Sequence, residues 1–300
     1  MKPLWGIDLG GTKIEGVVIA DAGKPDVLSR IRVPTEKHLG YAHVVNQFKV
    51  LIDLMSAASG LRPDRVGIGT PGTIEPATGL LKNSNTTVLN GQPLRRDIEA
   101  VLGVPVKMAN DANCFAVAET LMGAVKSAAP ESEVVFGIIM GTGVGGGIVV
   151  NGQVLNGKHG IAGEWGHNFL DLDGGPCYCG KVGCVETIIS GPALERYYTR
   201  LTGTHLPLKD IYANYQKGHD IHANATMNRL VTFFGKAVAN VINILDPDCI
   251  VLGGGVGNID LLYEAGVQEV AKHVFNPKVD TRFLQPQLGD SAGVFGAALL

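Results

Sequence analysis

Four side chains between residues 167 and 184 have the types and the spacing of a metal site. The segment GEWGH ends at His167 and CYCGKVGC begins at Cys177, which gives the pattern H-x9-C-x-C-x4-C. One imidazole and three thiolates suit tetrahedral Zn²⁺, and four protein ligands close the site, so we expect a structural zinc. On spacing alone, His159 is a second candidate for the imidazole. The candidate ligands are therefore His167, or His159 in its place, with Cys177, Cys179 and Cys184.

Three glycine-rich turns each follow an apolar run of strand length. They are DLGGTK at residues 8–13, GTGVGGG at 141–147 and LGGGVGN at 252–258. Backbone N–H groups without neighbouring side chains can surround a phosphate closely. Neither the Walker A sequence nor the Rossmann glycine pattern is present in its structural context. Any one turn could be an ordinary hairpin, but the three together favour phosphate binding.

Carboxylates supply the remaining candidates for chemistry. Asn110 and Asp111 precede a predicted helix, where both residue types commonly cap the first turn. A helix N-terminus favours an ionised carboxylate, which is also the form that a proton acceptor needs. Glu164 and Glu186 flank the cysteine segment. They are either surface carboxylates or acceptors of hydrogen bonds from ligand hydroxyl groups.

Strands alternate with helices along the chain, which predicts an α/β protein. Residues 4–20 and 134–155 each resemble a strand, a glycine turn and a second strand. This repetition indicates a duplicated α/β unit. Helical periodicity and capping residues predict the helices, and an apolar run predicts a strand at 249–252. The predicted helices cover residues 41–59, 112–126, 192–201, 227–245 and 260–275.

Composition limits the possible partners and the compartment. The chain has 300 residues, 41 of them glycine, and a net charge of −3 without a basic stripe, which argues against nucleic acid and anionic membranes as partners. Asp8 interrupts any apolar signal segment. The uncharged residues 134–157 are divided by a glycine turn, so we expect two strands there rather than a membrane span. Three of the five cysteines lie within eight residues, which favours a metal site in a reducing, cytoplasmic compartment.

The order and spacing of DLGGTK, GTGVGGG and LGGGV resemble the actin-like ATPase fold of sugar kinases, and within it the ROK family (repressors, open reading frames, kinases). The resemblance extends from about Gly6 to Ala298. It implies a two-domain α/β fold with duplicated ribonuclease H-like units, an interdomain cleft and a structural zinc loop. The small N-terminal domain would comprise residues 1–110 and about 288–300. The larger domain would comprise residues 111–287 and carry the zinc loop.

The resemblance also implies how nucleotide binds. The first two glycine turns would hold the phosphates of ATP and the third would contact adenosine. Asp8 would orient Mg²⁺ through water, and Lys13 would lie near the phosphates. The nucleotide-binding residues would be Asp8, Gly10, Gly11, Thr12, Lys13, Gly141, Thr142, Gly143, Gly254 and Gly255.

For the sugar, the resemblance implies that Asp111 in NDANC is the catalytic base, which accepts the proton of a hexose 6-hydroxyl. It selects His167 as the zinc ligand, with the other ring nitrogen directed at the sugar. Glu164 and Glu186 would contribute hydrogen bonds. The substrate-binding residues would be Gly72 from TPG, Asn85 from KNSNTTVLNGQPL, Asn110, Asp111, Glu164, His167 and Glu186.

The substrate is less sharply defined by these motifs. SNTTVLNGQPL, GEWGHN and CYCGKVGC most resemble bacterial ROK fructokinases with broad hexose acceptance. Kinases of N-acetylglucosamine or N-acetylmannosamine share nearly all these motifs and are the alternative. A non-catalytic sugar-binding regulator is an alternative of another class. ROK repressors carry a winged helix-turn-helix before the first glycine turn, whereas seven residues precede Asp8 here. The resemblance further implies a homodimer.

Overall fold

The computed structural model describes residues 2–300, which divide into two compact units. The first unit comprises the described residues up to Glu131, Gly147–Ala162 and Gln287–Leu300. The second unit comprises Ser132–Gly146 and Gly163–Pro286. The chain therefore leaves the first unit twice and returns to it at its C-terminal end.

The first sheet has five strands in the order β3-β2-β1-β4-β7, and β5 and β6 form a separate pair. The long hairpin strands β1, β2 and β3 are antiparallel, whereas β4 and β7 continue the sheet in parallel with β1. The strands are β1 (Leu4–Leu9), β2 (Lys13–Asp21), β3 (Lys24–Pro34), β4 (Val66–Thr70), β5 (Thr73–Ile74), β6 (Leu81–Lys82) and β7 (Val106–Asn110).

Helices cover this sheet with apolar side chains. Phe48, Leu51 and Met55 recur at helical spacing on α1, and all are completely buried in the core with Trp5 and Ile7 of β1. Burial of such an apolar face, rather than intrinsic propensity, stabilises most helices in proteins. The first four helices are α1 (Tyr41–Ser59), α2 (Leu94–Leu102), α3 (Asp111–Leu121) and α4 (Ala124–Ala128).

The second sheet also has five strands, in the order β10-β9-β8-β11-β12. In chain order this is the same arrangement as in the first sheet, with the third, second, first, fourth and fifth strands side by side. β8, β11 and β12 are parallel, and β9 and β10 are antiparallel to each other. The strands are β8 (Val134–Met140), β9 (Val144–Val150), β10 (Gln153–Val154), β11 (Cys249–Gly253) and β12 (Arg282–Leu284). The shared order confirms the predicted duplication.

The remaining helices lie mostly in the second unit, where α8 is the longest and packs against α6, α7 and α10. The last helix, α11, belongs to the first unit. Their bounds are α5 (Glu186–Ile189), α6 (Gly191–Thr202), α7 (Leu208–Lys217), α8 (Ile221–Leu245), α9 (Gly254–Gly257), α10 (Ala265–Ala271) and α11 (Ala292–Ala298).

Glycine lets α11 pack directly on the first sheet and on α3. A Cβ on Gly67 would lie 1.8 Å from the carbonyl oxygen of Ala297, and a Cβ on Gly296 would lie 1.7 Å from that of Cys114. This packing holds α3 in the first unit. Residues 111–131 thus belong to the first compact unit, whereas the sequence predicted a domain boundary at Asp111.

Three predicted helices differ from those observed. The helix predicted at 112–126 is divided into α3 and α4, because Glu119 accepts a hydrogen bond from the N–H of Ala124 and interrupts the helical ladder. α8 begins six residues before its predicted start, since Asp220 caps it through the N–H groups of His222 and Ala223.

The helix predicted at 260–275 is shorter than expected. A 3₁₀ turn covers Asp260–Leu262, and α10 begins only at Ala265. Between them, the Tyr263 hydroxyl donates to the carbonyl oxygens of Leu252 and Gly257 and anchors the turn. By contrast, α1 has the predicted bounds. Among the described residues, no helix is both long and apolar enough to cross a membrane.

Candidate active site

Asp8, near the end of β1, and Asp111, the first residue of α3, lie at the same edge of the first sheet. Asp8 pairs with Gly69 of β4, and Gly69 pairs with Ala109 of β7. Carboxyl ends of parallel strands meet at one edge, where α/β proteins commonly bind ligands. A Cβ on Gly69 would stand 3.6 Å from Asp8 Oδ1 and 3.1 Å from the Cys114 sulfur. The second distance is tighter than an ordinary van der Waals contact, so glycine at 69 makes room for the Cys114 sulfur of α3.

The two carboxylates influence each other. Burial raises the pKa of Asp8 to about 6, and the charges of Asp111 and Glu15 add to this, whereas Lys13 lowers the pKa. Desolvation disfavours a charged carboxylate, and a nearby like charge does the same. Asp8 therefore titrates close to neutral pH and is a natural ligand for a cation.

Asp111 combines an accessible side chain with a raised pKa. The surrounding protein atoms reduce its solvation and raise the pKa, while hydrogen bonds from Ala112 and Asn110 partly oppose this. The N–H of Ala112 donates to Oδ1 of Asn110 and to Oδ1 of Asp111, both at 2.8 Å. Asn110 is the N-cap residue of α3. The capping role is thus taken by Asn110, and Asp111 keeps oxygen acceptors for other partners.

Asn110 also links this edge to the TPG segment. Its side-chain amide donates to the carbonyl oxygen of Gly72 at 3.4 Å. Gly72 has a φ of 83°, and a Cβ there would lie 2.4 Å from the Lys82 carbonyl oxygen. The first unit thus brings Asn110, Gly72 and Asp111 together. Asn85 is exposed in the loop that follows β6.

The first glycine turn is held by hydrogen bonds from Thr35, the residue that follows β3. Gly10 N–H donates to the Lys13 carbonyl oxygen at 2.9 Å. Thr35 is fully buried, and its hydroxyl donates to the Gly10 carbonyl oxygen at 2.7 Å. Its N–H donates to the Thr12 carbonyl oxygen at 3.0 Å. The Lys13 ammonium lies 3.5 Å from Glu15, which also binds Arg30 and Arg32. Lys13 is therefore partly neutralised by Glu15. A position of Lys13 near phosphate stays a prediction.

A side chain that the sequence linked to the sugar supports the second glycine turn. Glu186 accepts a hydrogen bond from the N–H of Val144 at 2.9 Å, and a Cβ on Gly143 would lie 2.6 Å from the same carboxylate oxygen. The N–H of Gly141 closes the turn by donating to the carbonyl oxygen of Gly143 at 2.9 Å. Glu186 thus fixes the turn, and Thr142 at its tip is exposed.

The third turn leads from β11 into α9. Gly254 has a φ of 80°, and a Cβ there would lie 2.3 Å from the carbonyl oxygen of Met140 in β8. Gly254 therefore allows close packing of two backbone segments. A Cβ on Gly255 would meet no atom within 4 Å, so its backbone has open space beside it.

The predicted metal ligands lie together in the second unit. The donor atoms of His167, Cys177, Cys179 and Cys184 are all within 4.8 Å of one another. His167 Nδ1 lies 3.6 Å from the Cys177 sulfur, and the sulfurs of Cys179 and Cys184 are also 3.6 Å apart. These separations and the Cys₃His donor set fit tetrahedral Zn²⁺, with Nδ1 on the metal side.

The other ring nitrogen of His167 has a protein partner. Its Nε2 lies 3.0 Å from the Tyr178 hydroxyl, and the two rings are perpendicular. Partial desolvation and the charges of Glu186 and Glu164 raise the pKa of Tyr178 to about 12, so the phenol stays neutral. The sequence directed this nitrogen at the sugar. Tyr178 would therefore share Nε2 of His167 with the sugar, a contact that the motifs did not indicate.

Trp165 and Gly166 position the segment that carries Glu164 and His167. The indole N–H of Trp165 donates to the Gly145 carbonyl oxygen at 3.0 Å. A Cβ on Gly166 would stand 1.9 Å from the Val144 carbonyl oxygen, so only glycine allows this approach. The two residues between Glu and His in GEWGH thus attach the metal segment to the second glycine turn. Sequence reasoning had given neither of them a role.

These observations define a class of protein before they define a family. Both sheets have the same strand order, and each has a glycine turn between its first two strands. They form an actin-like ATPase-type fold with two α/β units, as the sequence predicted. The ROK family model matches residues 4–300, and the chain belongs to the ROK family.

Several similar proteins are sugar kinases. The chain is 35% identical over 306 residues to an N-acetyl-D-glucosamine kinase of Aliivibrio fischeri, with 99% of this chain and 98% of that protein covered. It is 32% identical to a ROK hexokinase of Thermus thermophilus, with a TM-score of 0.87 and coverages of 99% and 97%. A ROK glucokinase of Streptomyces griseus, solved with glucose and AMPPNP, is 28% identical, with a TM-score of 0.76 and coverages of 99% and 98%. The prediction of an ATP-dependent sugar kinase is confirmed.

Proposed function

We propose that this protein transfers the γ-phosphoryl group of ATP to the 6-hydroxyl of N-acetylglucosamine. The observation that carries the chemistry is Asp111, an accessible carboxylate of raised pKa at the ligand-binding edge of the first sheet. Support for the substrate comes from the similarity to N-acetyl-D-glucosamine kinases, which extends over nearly the whole chain. This similarity favours N-acetylglucosamine kinase, which was the alternative in the sequence analysis, over fructokinase, which the motifs most resembled.

In the proposed reaction, Asp111 accepts the proton of the 6-hydroxyl while that oxygen attacks the γ-phosphorus. The bond between the γ-phosphorus and the oxygen bridging to the β-phosphorus breaks, and ADP leaves with the electron pair. Such transition states are loose, so positioning and charge neutralisation contribute more than the base. Asn110 helps to position Asp111, because its amide binds Gly72 and its carbonyl oxygen caps α3.

The glycine turns would bind the phosphates through their backbone. In the first unit, Gly10, Gly11 and Thr12 form a turn whose shape Thr35 fixes. In the second unit, Gly141 and Gly143 form the corresponding turn, which Glu186 fixes. Mg²⁺ would neutralise charge on the phosphates when bound. Asp8, a largely buried carboxylate with a pKa of about 6, is the residue that suits it.

Zn²⁺ would have a structural role. His167, Cys177, Cys179 and Cys184 would hold it, and their closed donor set leaves no coordination position for substrate. With Nδ1 on the metal, Nε2 of His167 carries the proton and donates to an acceptor. We infer that a hydroxyl group of the bound sugar would replace Tyr178 as the partner of Nε2. The same sugar would also bond to Glu164.

A broader hexose specificity is the second candidate. It is supported by the similarity to the ROK hexokinase of Thermus thermophilus, which is comparable in identity to that with N-acetylglucosamine kinases. A non-catalytic sugar-binding regulator is the alternative of another class. Its expected behaviour is sugar binding without ATP turnover. The homodimer stays a prediction.

The experiment is a substrate panel. Initial rates with ATP and Mg²⁺ are measured for N-acetylglucosamine, N-acetylmannosamine, glucose, mannose and fructose, and the products are identified by NMR. We expect the highest kcat/KM for N-acetylglucosamine, with phosphate on the 6-oxygen. A higher kcat/KM for fructose or glucose would overturn the proposed substrate but keep the kinase. No ADP formation with any sugar, together with measurable sugar binding, would support the regulator.

A further inference from the structure

We propose that Lys37 and Thr86 form a binding site for the terminal phosphoryl group beside the first glycine turn. This inference rests on the proposed kinase function and concerns two residues to which the sequence motifs gave no role. The geometry centres on Gly11. A Cβ on Gly11 would stand 3.6 Å from the Lys37 ammonium nitrogen and also 3.6 Å from the Thr86 hydroxyl oxygen. The space that glycine leaves open is therefore flanked by a cation and a hydroxyl group.

Thr86 has a hydroxyl without a partner. Its side chain is 1% exposed, and its oxygen forms no hydrogen bond among residues 2–300. An unsatisfied buried polar atom costs free energy, so such an atom commonly has a partner or a function. The loop that carries Thr86 is well fixed. Thr86 N–H donates to the Ser84 hydroxyl at 3.1 Å, and Asn90 exchanges two hydrogen bonds with the Ser84 backbone, both at 2.9 Å.

Lys37 is held beside the same turn by its neighbours in sequence. Thr35 makes two hydrogen bonds to the backbone of the first glycine turn, at 2.7 and 3.0 Å. Glu36 then adopts a φ of 48°, in the left-handed region that non-glycine residues rarely occupy, and its carboxylate binds His43 at 2.8 Å. Backbone strain of this kind is concentrated at functional sites. Lys37 itself has no ion-pair partner within the described part of the chain.

The chemistry of the pair selects an anion that also accepts a hydrogen bond. An ammonium and a hydroxyl donor suit a phosphoryl oxygen, and charge-assisted hydrogen bonds of this kind are among the strong ones. The position indicates which phosphate is bound. Thr86 follows Asn85 in the loop predicted to contact the sugar, so this side of the turn faces the acceptor end of the phosphate chain. We therefore assign the site to the phosphoryl group in transfer rather than to the phosphates that remain in ADP.

Two variants test the site. Lys37→Met removes the charge and keeps the length of the side chain, and Thr86→Val removes the hydroxyl at nearly constant volume. Matched controls are Lys49→Met, at an exposed lysine paired with Asp53, and Thr87→Val, at the exposed neighbour of Thr86. We expect kcat to fall about 10- to 100-fold in Lys37→Met, as for the loss of one donor to a transition state, and by about 3- to 10-fold in Thr86→Val.

Nucleotide binding distinguishes the assigned phosphate. The dissociation constants of AMPPNP and ADP are measured by calorimetry for each variant. We expect Lys37→Met to weaken AMPPNP several-fold and to leave ADP within twofold of wild type. Equal weakening of both nucleotides would overturn the assignment to the terminal phosphoryl group, as would unchanged kcat and unchanged AMPPNP affinity. If the wild type phosphorylates no sugar, the proposed function fails, whereas the AMPPNP comparison still tests the site.

Discussion

Asp8 lies near the end of β1 and Asp111 directly follows β7 of the same sheet, and the charge of Asp111 adds to burial in raising the pKa of Asp8 to about 6. β4 lies between these two strands, and a Cβ on its Gly69 would stand 3.1 Å from the Cys114 sulfur of α3. The arrangement concentrates negative charge where a phosphate-bound cation and a hydroxyl proton would both be needed.

Replacing Asp111 tests the proposed base. We expect Asp111→Ala and Asp111→Asn to lower kcat at least 100-fold, since a positioned general base contributes about 10²- to 10⁴-fold. Sugar affinity should change less, because the hydroxyl groups have other proposed partners. Steady-state ADP formation and sugar titration measure the two effects. Asp53→Asn, an exposed carboxylate on α1, is the control. Activity within tenfold of wild type in Asp111→Ala would exclude the assignment.

Asp8 should stabilise the fold less at pH 7.5 than an uncharged residue does. Its pKa is about 6 in the folded protein and near the ordinary 3.8 when unfolded, so ionisation disfavours the folded state above pH 6. The penalty is relieved as the pH falls through 6 towards 4. Asp8→Asn should therefore raise the free energy of unfolding by about 3 kcal/mol at pH 7.5 and have little effect near pH 4.

Urea unfolding of the wild type and Asp8→Asn at several pH values measures this difference. The variant should also lose most of its kinase activity, because it no longer offers a carboxylate for the cation. A stability difference that is the same at pH 7.5 and pH 4 would show that the ionisation of Asp8 is not its cause.

The metal cluster should retain one Zn²⁺ per chain. We expect Cys184→Ser to abolish zinc retention, because this sulfur is 1% exposed and surrounded by the other donors. Elemental analysis after gel filtration gives the stoichiometry. Cys249→Ala removes a buried thiol outside the cluster and should keep the metal. Loss of the metal should also lower the unfolding temperature, since binding free energy of a structural zinc contributes to folding. A metal-free wild type would contradict the assignment.

Glu119 should be essential for stability. Its fully buried carboxylate accepts hydrogen bonds from the N–H groups of Ala124, Gln287 and Leu288 at 2.8 to 3.0 Å. Glu119→Gln replaces one acceptor oxygen with a donor and leaves backbone groups unsatisfied, at a cost of about 2 to 4 kcal/mol. Denaturant unfolding measures the loss, with Glu264→Gln at an exposed position as the control. A change below about 0.5 kcal/mol would contradict this role.

The sequence by itself determined the features that depend on neighbouring residues. The cysteine spacing predicted the cluster, because three donors within eight residues are close in any compact loop. α1 was predicted to the residue, since its apolar periodicity and the glycines at both ends are local signals. The repeated strand and glycine turn predicted the duplication, and motif order predicted the ROK family.

Only the tertiary structure decided the contacts between residues distant in the chain. The role of Glu186 in sugar binding stays a prediction, but the bond of its carboxylate to the turn at Val144, 42 positions away, had no signal in the sequence. Glu119, whose bond to Ala124 divides a predicted helix, also binds Leu288, 169 positions away, and Lys37 and Thr86 converge on Gly11. Side-chain hydrogen bonds of this kind leave no periodic signal in the sequence. They depend on which strands become neighbours, and the free energy that orders them comes from packing of the whole unit.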